Sequence, residues 1–240
     1  MFRIENPAED KGAYVRGMFA SIAPYYDFLN RLLSFGRDRY WRRFAVAETA
    51  LPSGGKALDV CTGTADVALE IARQFPHAGR VVGVDFCGPM LKLGREKVHM
   101  AGLDGKIELQ MAPAEALPFK GGTFDATTVA FGIRSVRDLK MGLQEMARVT
   151  RQGGRVVVLE FSIPPSTAFR RIYHFYFRRI LPLVGGAISG NPEAYTYLPR
   201  SVSQFPSPEE LRDLMLQAGF HQVGYHLLTG GIVAVHVGVK

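Results

Sequence analysis

The chain has 240 residues, 47% of them hydrophobic and 21% charged, a balance that suits one large globular α/β domain or two small ones. Its formal net charge of +7 suits nucleic acid, an anionic membrane surface or no particular partner. Two cysteines exclude a disulfide scaffold and point to a reducing cytoplasm, six scattered histidines without zinc spacing exclude a metal site, Met1–Pro7 lacks the apolar core of a signal peptide, and no run reaches the ~18–20 apolar residues of a membrane span.

Residues 13–50 read as a helical cap. Val15, Phe19, Ile22, Tyr26 and Leu29 recur at helical spacing, Gly36 interrupts, and Asp38 is placed to cap a second helix carrying Trp41, Phe44 and Val46. Such a preface can wall a substrate pocket or simply cover a sheet edge. Pro52-Ser53-Gly54-Gly55 links it to a core over 56–161. There, strands are predicted at 57–61, 80–85, 107–111, 124–130 and 154–161, with helices at 64–75, 88–100 and 137–149, and Gly153-Gly154 as the turn into the fifth strand. Continuous Val-rich strands alternating with helices predict a parallel sheet covered on both faces, with ligands over the carboxyl ends of the strands. That rim holds Cys61–Asp66, Asp85–Cys87, Ala112–Glu115 and Ala130–Arg134.

Over 163–206 the pattern changes. Pro164-Pro165 stops the strand, and 166–181 carries an apolar stripe of Phe169, Ile172, Tyr173, Tyr176 and Ile180 beside Arg170, His174 and Arg178. A basic, aromatic, amphipathic helix suits a membrane interface. It equally suits a lid over a pocket. Residues 185–206, rich in Gly, Pro and Tyr, read as an ordered loop. In 207–240, Ser207-Pro208-Glu209-Glu210 starts a helix ending at Gly219, and segments 220–228 and 232–239 form a closing hairpin, an antiparallel edge on the sheet. Seven strands ending so have the general architecture of the Rossmann-like S-adenosylmethionine-dependent methyltransferase fold.

The turn after the first strand narrows the ligand. Only Gly63 is glycine in Cys61-Thr62-Gly63-Thr64-Ala65, so neither the dinucleotide pattern nor a phosphate-gripping lysine is present. Asp59 and Asp66 would repel a pyrophosphate and suit a cation, and Asp85 ends the second strand about 20 residues on, where an acid reaches ribose hydroxyls. S-adenosylmethionine, with its sulfonium and ammonium, meets these conditions.

Three segments are more specific than the generic core motifs: Met18-Phe19-x-x-Ile22-Ala23-Pro24-x-Tyr26-Asp27, Phe131-Gly132-Ile133-Arg134 and Tyr195-x-Tyr197-Leu198-Pro199. With the core motifs, they make the chain resemble, over nearly its full length, the UbiE/MenG-type C-methyltransferases of menaquinone and ubiquinone biosynthesis. The resemblance implies a single methyltransferase domain over 1–240, transferring methyl from S-adenosylmethionine to a ring carbon of a polyprenylated quinol, at or near the inner face of the membrane. A homodimer is compatible with it. It also implies that Thr64, Asp85, Pro113, Ala114 and Ala130 line the cofactor, with Asp59, Gly63, Asp66 and Phe86 beside them. Three positions depart from the family pattern: Pro113 stands where Asn or Asp is usual, Ser135 where Asn is common, and Arg200 where Glu is common.

Methylating a quinol carbon needs a hydroxyl to lose its proton so that density moves to the ortho carbon, with nucleophile, methyl and sulfur in line. Candidates to assist are Arg134, which is a poor base but can stabilise a phenolate, and Tyr26, His174 and Tyr195. A nucleic-acid methylase is the competing reading of the charge. It is disfavoured because Ala130-Phe131-Gly132-Ile133 stands where a base N-methylase carries its Asn/Asp-Pro-Pro-aromatic sequence, and because both cysteines fall in cofactor turns.

Overall fold

The computed structural model describes residues 11–240; Met1–Pro7, read above as no signal peptide, lies outside the described residues. Helices α1 (Lys11–Ile22), α2 (Tyr26–Leu33) and α3 (Arg37–Glu48) precede the core. The core follows as β1 (Ala57–Val60), α4 (Asp66–Gln74), β2 (Val81–Asp85), α5 (Gly88–Met100), β3 (Ile107–Met111), β4 (Phe124–Ala130), α6 (Leu139–Val149) and β5 (Thr150–Phe161). Then come α7 (Thr167–Phe175), a π-helical turn (Tyr176–Ile180), α8 (Leu181–Ser189), α9 (Pro192–Gln204), α10 (Pro208–Gln217), β6 (Gln222–Leu228) and β7 (Val233–Val239).

The seven strands form one sheet in the order β3-β2-β1-β4-β5-β7-β6. All pairings among β1 to β5 are parallel, and β7 runs antiparallel between β5 and β6. Every residue of β1 and β2 is buried, as strands covered on both faces require. The predicted Ser207 start is realised as a capping box: Ser207 Oγ accepts from the Glu210 N–H at 3.3 Å, and Glu210 Oε2 accepts from the Ser207 N–H at 2.8 Å.

Four local expectations are corrected. Asp38 does not cap its helix; α3 starts after Gly36 in the left-handed region, and Asp38 lies buried in the first turn, bonded to Arg42 Nη1 at 2.5 Å and Arg31 Nε at 3.0 Å. Gly153-Gly154 is not a turn into β5 but an irregularity inside it, where pairing with β4 shifts register between Phe124 and Ala126.

Residues 185–206 are not a loop but mostly helix. Pro192 occupies the first turn of α9, where an N–H is dispensable, and Asn191 caps it by accepting from the Ala194 N–H at 3.2 Å. The glycines serve close helix packing: a Cβ on Gly185 would lie 2.3 Å from Tyr195 Cδ1, and one on Gly186 would lie 2.9 Å from Pro192 Cβ. The stripe on 166–181 also turns differently. Tyr173, Phe177 and Leu181 face inward, while Ile172 is 66% and Ile180 is 38% exposed. The π-helical turn adds a residue to the repeat and rotates the later positions away from the straight-helix expectation.

Candidate active site

Two cavities meet over the carboxyl ends of β1, β2 and β4. The first, of about 560 Å³, is walled by backbone and small side chains, including Gly63, Ala112, Pro113, Ala114 and Ala130. Close approach is built into it. Cys61, Gly63 and Ala65 all adopt positive φ in the turn after β1, and Phe131 does so after β4. A Cβ on Gly132 would lie 2.3 Å from Cys61 Cβ, so the bare backbone of Gly132 packs directly on the Cys61 side chain where the β1 and β4 turns meet.

Asp85 faces this cavity from the end of β2, with Phe86 beside it. Its Oδ2 accepts from the Gly63 N–H and its Oδ1 from the Cys87 N–H, both at 2.8 Å, so the carboxylate is locked in orientation with a lone pair left on each oxygen. Burial raises its pKa against the hydrogen bonds from Cys87, Gly63 and Phe86. A fixed acceptor pair at a strand end suits a ribose diol; the cavity's lining holds no lysine, and its cations are Arg16 from α1 and Arg137 from the segment after β4. The cavity therefore fits S-adenosylmethionine by its own geometry. Helix α1 contributes Gly12, Arg16 and Phe19 to the same wall, which the sequence reading did not anticipate.

Three residues expected here are elsewhere. Asp59 lies under the turn, accepting from Thr62 Oγ1 at 2.6 Å and Thr128 Oγ1 at 2.9 Å. Burial pushes its pKa to about 7 against those two bonds. Thr64 Oγ1 donates to Asp27 at 2.6 Å, and Asp66 pairs with Lys97 and, at 3.4 Å, with Arg42. Neither aspartate offers a free charge to a ligand, and none of the three lines the cavity. Asp66 belongs instead to a chain of ion pairs, from Arg31 through Asp38, Arg42, Asp66 and Lys97 to Asp27, that ties α2 and α3 to the turn after β1, and Thr64 joins that chain through its bond to Asp27.

The second cavity, of about 420 Å³, is lined mainly by aromatic and aliphatic side chains from α1 to α3 and from 161–198. Phe19, Tyr26 and Phe131 line both cavities and form the wall between them. The Phe131 ring packs tilted against Phe161 at 4.7 Å and Trp41 at 6.1 Å, and Trp41 Nε1 donates to Thr229 Oγ1 at 2.8 Å.

Of the four catalytic candidates, Arg134, Tyr26 and Tyr195 line this second cavity; His174 lines none of the cavities. Burial raises the pKa of Tyr26, and pushes that of Tyr195 to about 12 with help from Tyr26. Arg134 is anchored rather than free. Its Nη1 donates to Glu160 Oε1 at 2.9 Å and to the Phe131 carbonyl, its Nε donates to Ser201 Oγ at 3.3 Å, and its guanidinium lies 5.7 Å from the Phe161 ring centre. Glu160, 1% exposed, was not singled out from the sequence, although a carboxylate closing a Val-rich buried strand was a visible signal. Burial raises its pKa, and Arg134 opposes that.

Comparison with known proteins bears on the same residues. The model of the ubiE/COQ5 methyltransferase family matches residues 7–240. The ubiquinone/menaquinone biosynthesis C-methyltransferase UbiE of Geotalea uraniireducens is 53% identical over 231 residues, covering 96% of this chain and 98% of the relative. The demethylmenaquinone methyltransferase of Thermus thermophilus is 51% identical over 221 residues, covering 92% and 99%. Among solved structures, the [4+2]-cyclase SpnF aligns with a TM-score of 0.68 at 15% identity over 94% of each chain. The phosphoethanolamine N-methyltransferase 2 of Haemonchus contortus, in complex with S-adenosyl-L-methionine, aligns with a TM-score of 0.60 at 15% identity over 82% of this chain and 52% of that one. At these identities the structures speak to the fold alone, which they share with this chain.

Proposed function

The chain belongs to the ubiE/COQ5 methyltransferase family, and on that premise we propose that its two cavities hold S-adenosylmethionine and the ring of a polyprenylated quinol on opposite sides of Phe19, Tyr26 and Phe131. The protein is an S-adenosylmethionine-dependent C-methyltransferase of menaquinone and ubiquinone biosynthesis. Demethylmenaquinol is the substrate that its relatives' names favour. The observation that carries the assignment of sites is the shared wall: one cavity is polar at a strand edge, the other is aromatic, and three side chains separate them.

S-adenosylmethionine supplies an activated methyl on a cationic sulfur. Asp85 would hold its ribose, with Gly63, Pro113, Ala114 and Ala130 as the backbone and small side chains around it and Phe86 in the same wall. The aromatic walls of the second cavity keep water from the reacting atoms. Arg134 is a permanent cation, so its part is to stabilise the phenolate left when the quinol hydroxyl loses its proton. Tyr26 and Tyr195, with raised pKa values, stay protonated at neutral pH and act as hydrogen-bond donors to the same ring. The test is methyl transfer from labelled S-adenosylmethionine to short-chain demethylmenaquinol in detergent, with bulk RNA as the negative substrate. Labelled RNA with unlabelled quinol would refute the reading.

A bilayer contact fits the same arrangement. No described helix is long and apolar enough to cross a membrane. Phe35 is 80% exposed and Ile172 is 66% exposed, and both also line the quinol cavity, so its mouth opens on an apolar surface. Phe28, Phe175 and Leu183 are exposed too, alongside exposed Arg171, Arg178 and Arg179. An anionic bilayer meets both the aromatics and the arginines, and delivers a prenylated substrate directly to the mouth. Co-sedimentation with anionic but not zwitterionic vesicles, lost in Phe35→Ser with Leu183→Ser, is the expected result. Equal binding to both lipid types would remove the charge argument.

A further inference from the structure

Most polar groups around the quinol cavity have partners inside the protein. The Tyr176 hydroxyl donates to the Leu33 carbonyl at 2.8 Å, and the Tyr197 hydroxyl to Ser135 Oγ at 3.3 Å. Tyr173 is different. It lines the cavity from α7 at 5% exposure, and its Oη is buried without a hydrogen-bond partner among the described residues. A buried unpartnered hydroxyl is a cost that an apolar ring of the same shape would avoid.

Packing does not need that hydroxyl. The Tyr173 ring stacks on Phe177 at 4.7 Å and 25°, and a phenylalanine would stack equally well. Tyr173 and Phe177 stand four residues apart and share the inward face of the helix, and the π-helical turn Tyr176–Ile180, a device frequent at functional sites, begins three residues after Tyr173. Burial raises the Tyr173 pKa, so the phenol keeps its proton at neutral pH, and its titration responds to the charges of Arg134 and Glu160. The hydroxyl is thus a protonated donor with nothing to donate to, and its ring leads through Phe177 and Phe161, 4.7 Å and 5.8 Å apart in turn, to the guanidinium of Arg134, which is proposed for the quinol oxygen.

We infer that Tyr173 is a further substrate-binding residue: its hydroxyl donates a hydrogen bond to a ring oxygen of the quinol, and of the quinone formed from it, on the Arg134 side of the cavity. The hydroxyl is closed off from solvent, so the bond is made only when the ring binds and the Tyr173 side chain turns to meet it, and the phenol stays protonated throughout. This rests on the reading of the second cavity as the quinol site.

Trp41, the single tryptophan of the chain, lines the same cavity, so its fluorescence reports occupancy. The experiment titrates wild type and Tyr173→Phe with menadione and with methylnaphthalene, which has the same fused rings but no oxygens. The expected result is an affinity for menadione about 10-fold weaker in the variant, with methylnaphthalene unchanged. The Tm should be equal or higher, because an unpaired buried hydroxyl has gone, and S-adenosylhomocysteine affinity should not move. Turnover of demethylmenaquinol should fall by about 10-fold or more. Equal affinity of both proteins for menadione overturns the inference, and so does a parallel loss for both probes, which would mark a packing role. If wild type fails to bind menadione saturably, the quinol cavity itself is misassigned and the inference falls with it.

Discussion

At the carboxyl edge of the sheet, the cofactor cavity is made of backbone: positive-φ turns at Cys61, Gly63 and Phe131, small side chains at 112–114, and one locked carboxylate at Asp85. Across Phe131, the cavity proposed for the quinol is made of side chains brought together from 18–42, 131–134, 161–198 and 229–232. The first is fixed by strand geometry and tolerates little change in shape. The second is a packed aromatic shell whose few polar groups are positioned by long-range pairs. Backbone suits a ligand of constant shape, and an aromatic shell suits a greasy ring that has to be held dry. Variants on each side should therefore fail in different ways.

The largest expected effect is at Arg134. Arg134→Ala leaves Glu160 buried and unpaired, a loss of about 3–5 kcal/mol in stability, and removes the cation from the quinol oxygen, about 10²–10³-fold in turnover. The two losses separate in the double variant Arg134→Met, Glu160→Leu, where an apolar pair of similar volume fills the space. Its thermal stability should return towards wild type, and its turnover should not. S-adenosylhomocysteine affinity should stay near wild type in the double variant. Loss of that affinity would mean that the two cavities are not energetically separate.

Next comes Asp85→Asn. The amide keeps the shape but loses one acceptor of the locked pair and the charge, so cofactor affinity should fall about 10–100-fold, the range of a hydrogen bond to a charged group. Menadione quenching of Trp41 should be unaffected. Calorimetric titration with S-adenosylhomocysteine measures the first, and a fall in both would blur the boundary that Phe131 draws.

Asp59 gives a smaller, pH-dependent effect. Its pKa lies at about 7 in the folded chain against an ordinary 3.8. The folded state therefore binds a proton more readily than the unfolded state, and the stability associated with the neutral acid is complete at low pH and lost as pH rises towards and through about 7. Each pH unit in that window is worth about 1.4 kcal/mol at most. Asp59→Asn, neutral at every pH, should gain stability relative to wild type as pH rises from 5 to 8, followed by thermal melts across the range. A constant difference across that range would show that Asp59 is not the titrating group.

These tests follow the line between what was legible in the chain and what was not. Val-rich runs marked the strands, because both faces of a parallel sheet demand apolar residues, and the small-residue turn marked the cofactor edge, because backbone approach is written locally. Asp59, Thr64 and Asp66 lay in the same stretch and were read as ligand-facing. Apart from Thr62, three residues from Asp59, their partners are Thr128, Asp27, Lys97 and Arg42, separations that reach 69 residues for Asp59 with Thr128 and 37 for Thr64 with Asp27, so the local sequence did not reveal that these groups were already occupied. The helices of 181–204 were hidden for a related reason. Gly185 and Gly186 read as loop formers on composition, and only the approach of Tyr195 and Pro192 explains them as packing glycines. Arg134 was legible as a rim residue; Glu160 was visible as a carboxylate in a Val-rich strand, but its pairing with Arg134 across 26 residues was not.

The smallest effect tests the seam between the regions. Asp27 accepts from Thr64 Oγ1 at 2.6 Å and from Lys97 Nζ at 2.8 Å, and so joins α2 to the cofactor turn without touching either cavity. Its side chain is 40% exposed, which leaves the pair open to screening by water and salt. Asp27→Ala should therefore cost no more than about 1 kcal/mol, a shift of about 2–4 °C in Tm for a chain of this size, and the shift should shrink in high salt. Cofactor and menadione affinities should each change by less than about threefold, since Asp66 and Arg42 still bridge α3 to the turn at 3.4 Å. A tenfold loss in cofactor affinity would instead place Asp27 in control of the turn's conformation, and the cap would then have to be counted as part of the cofactor site rather than as the wall of its neighbour.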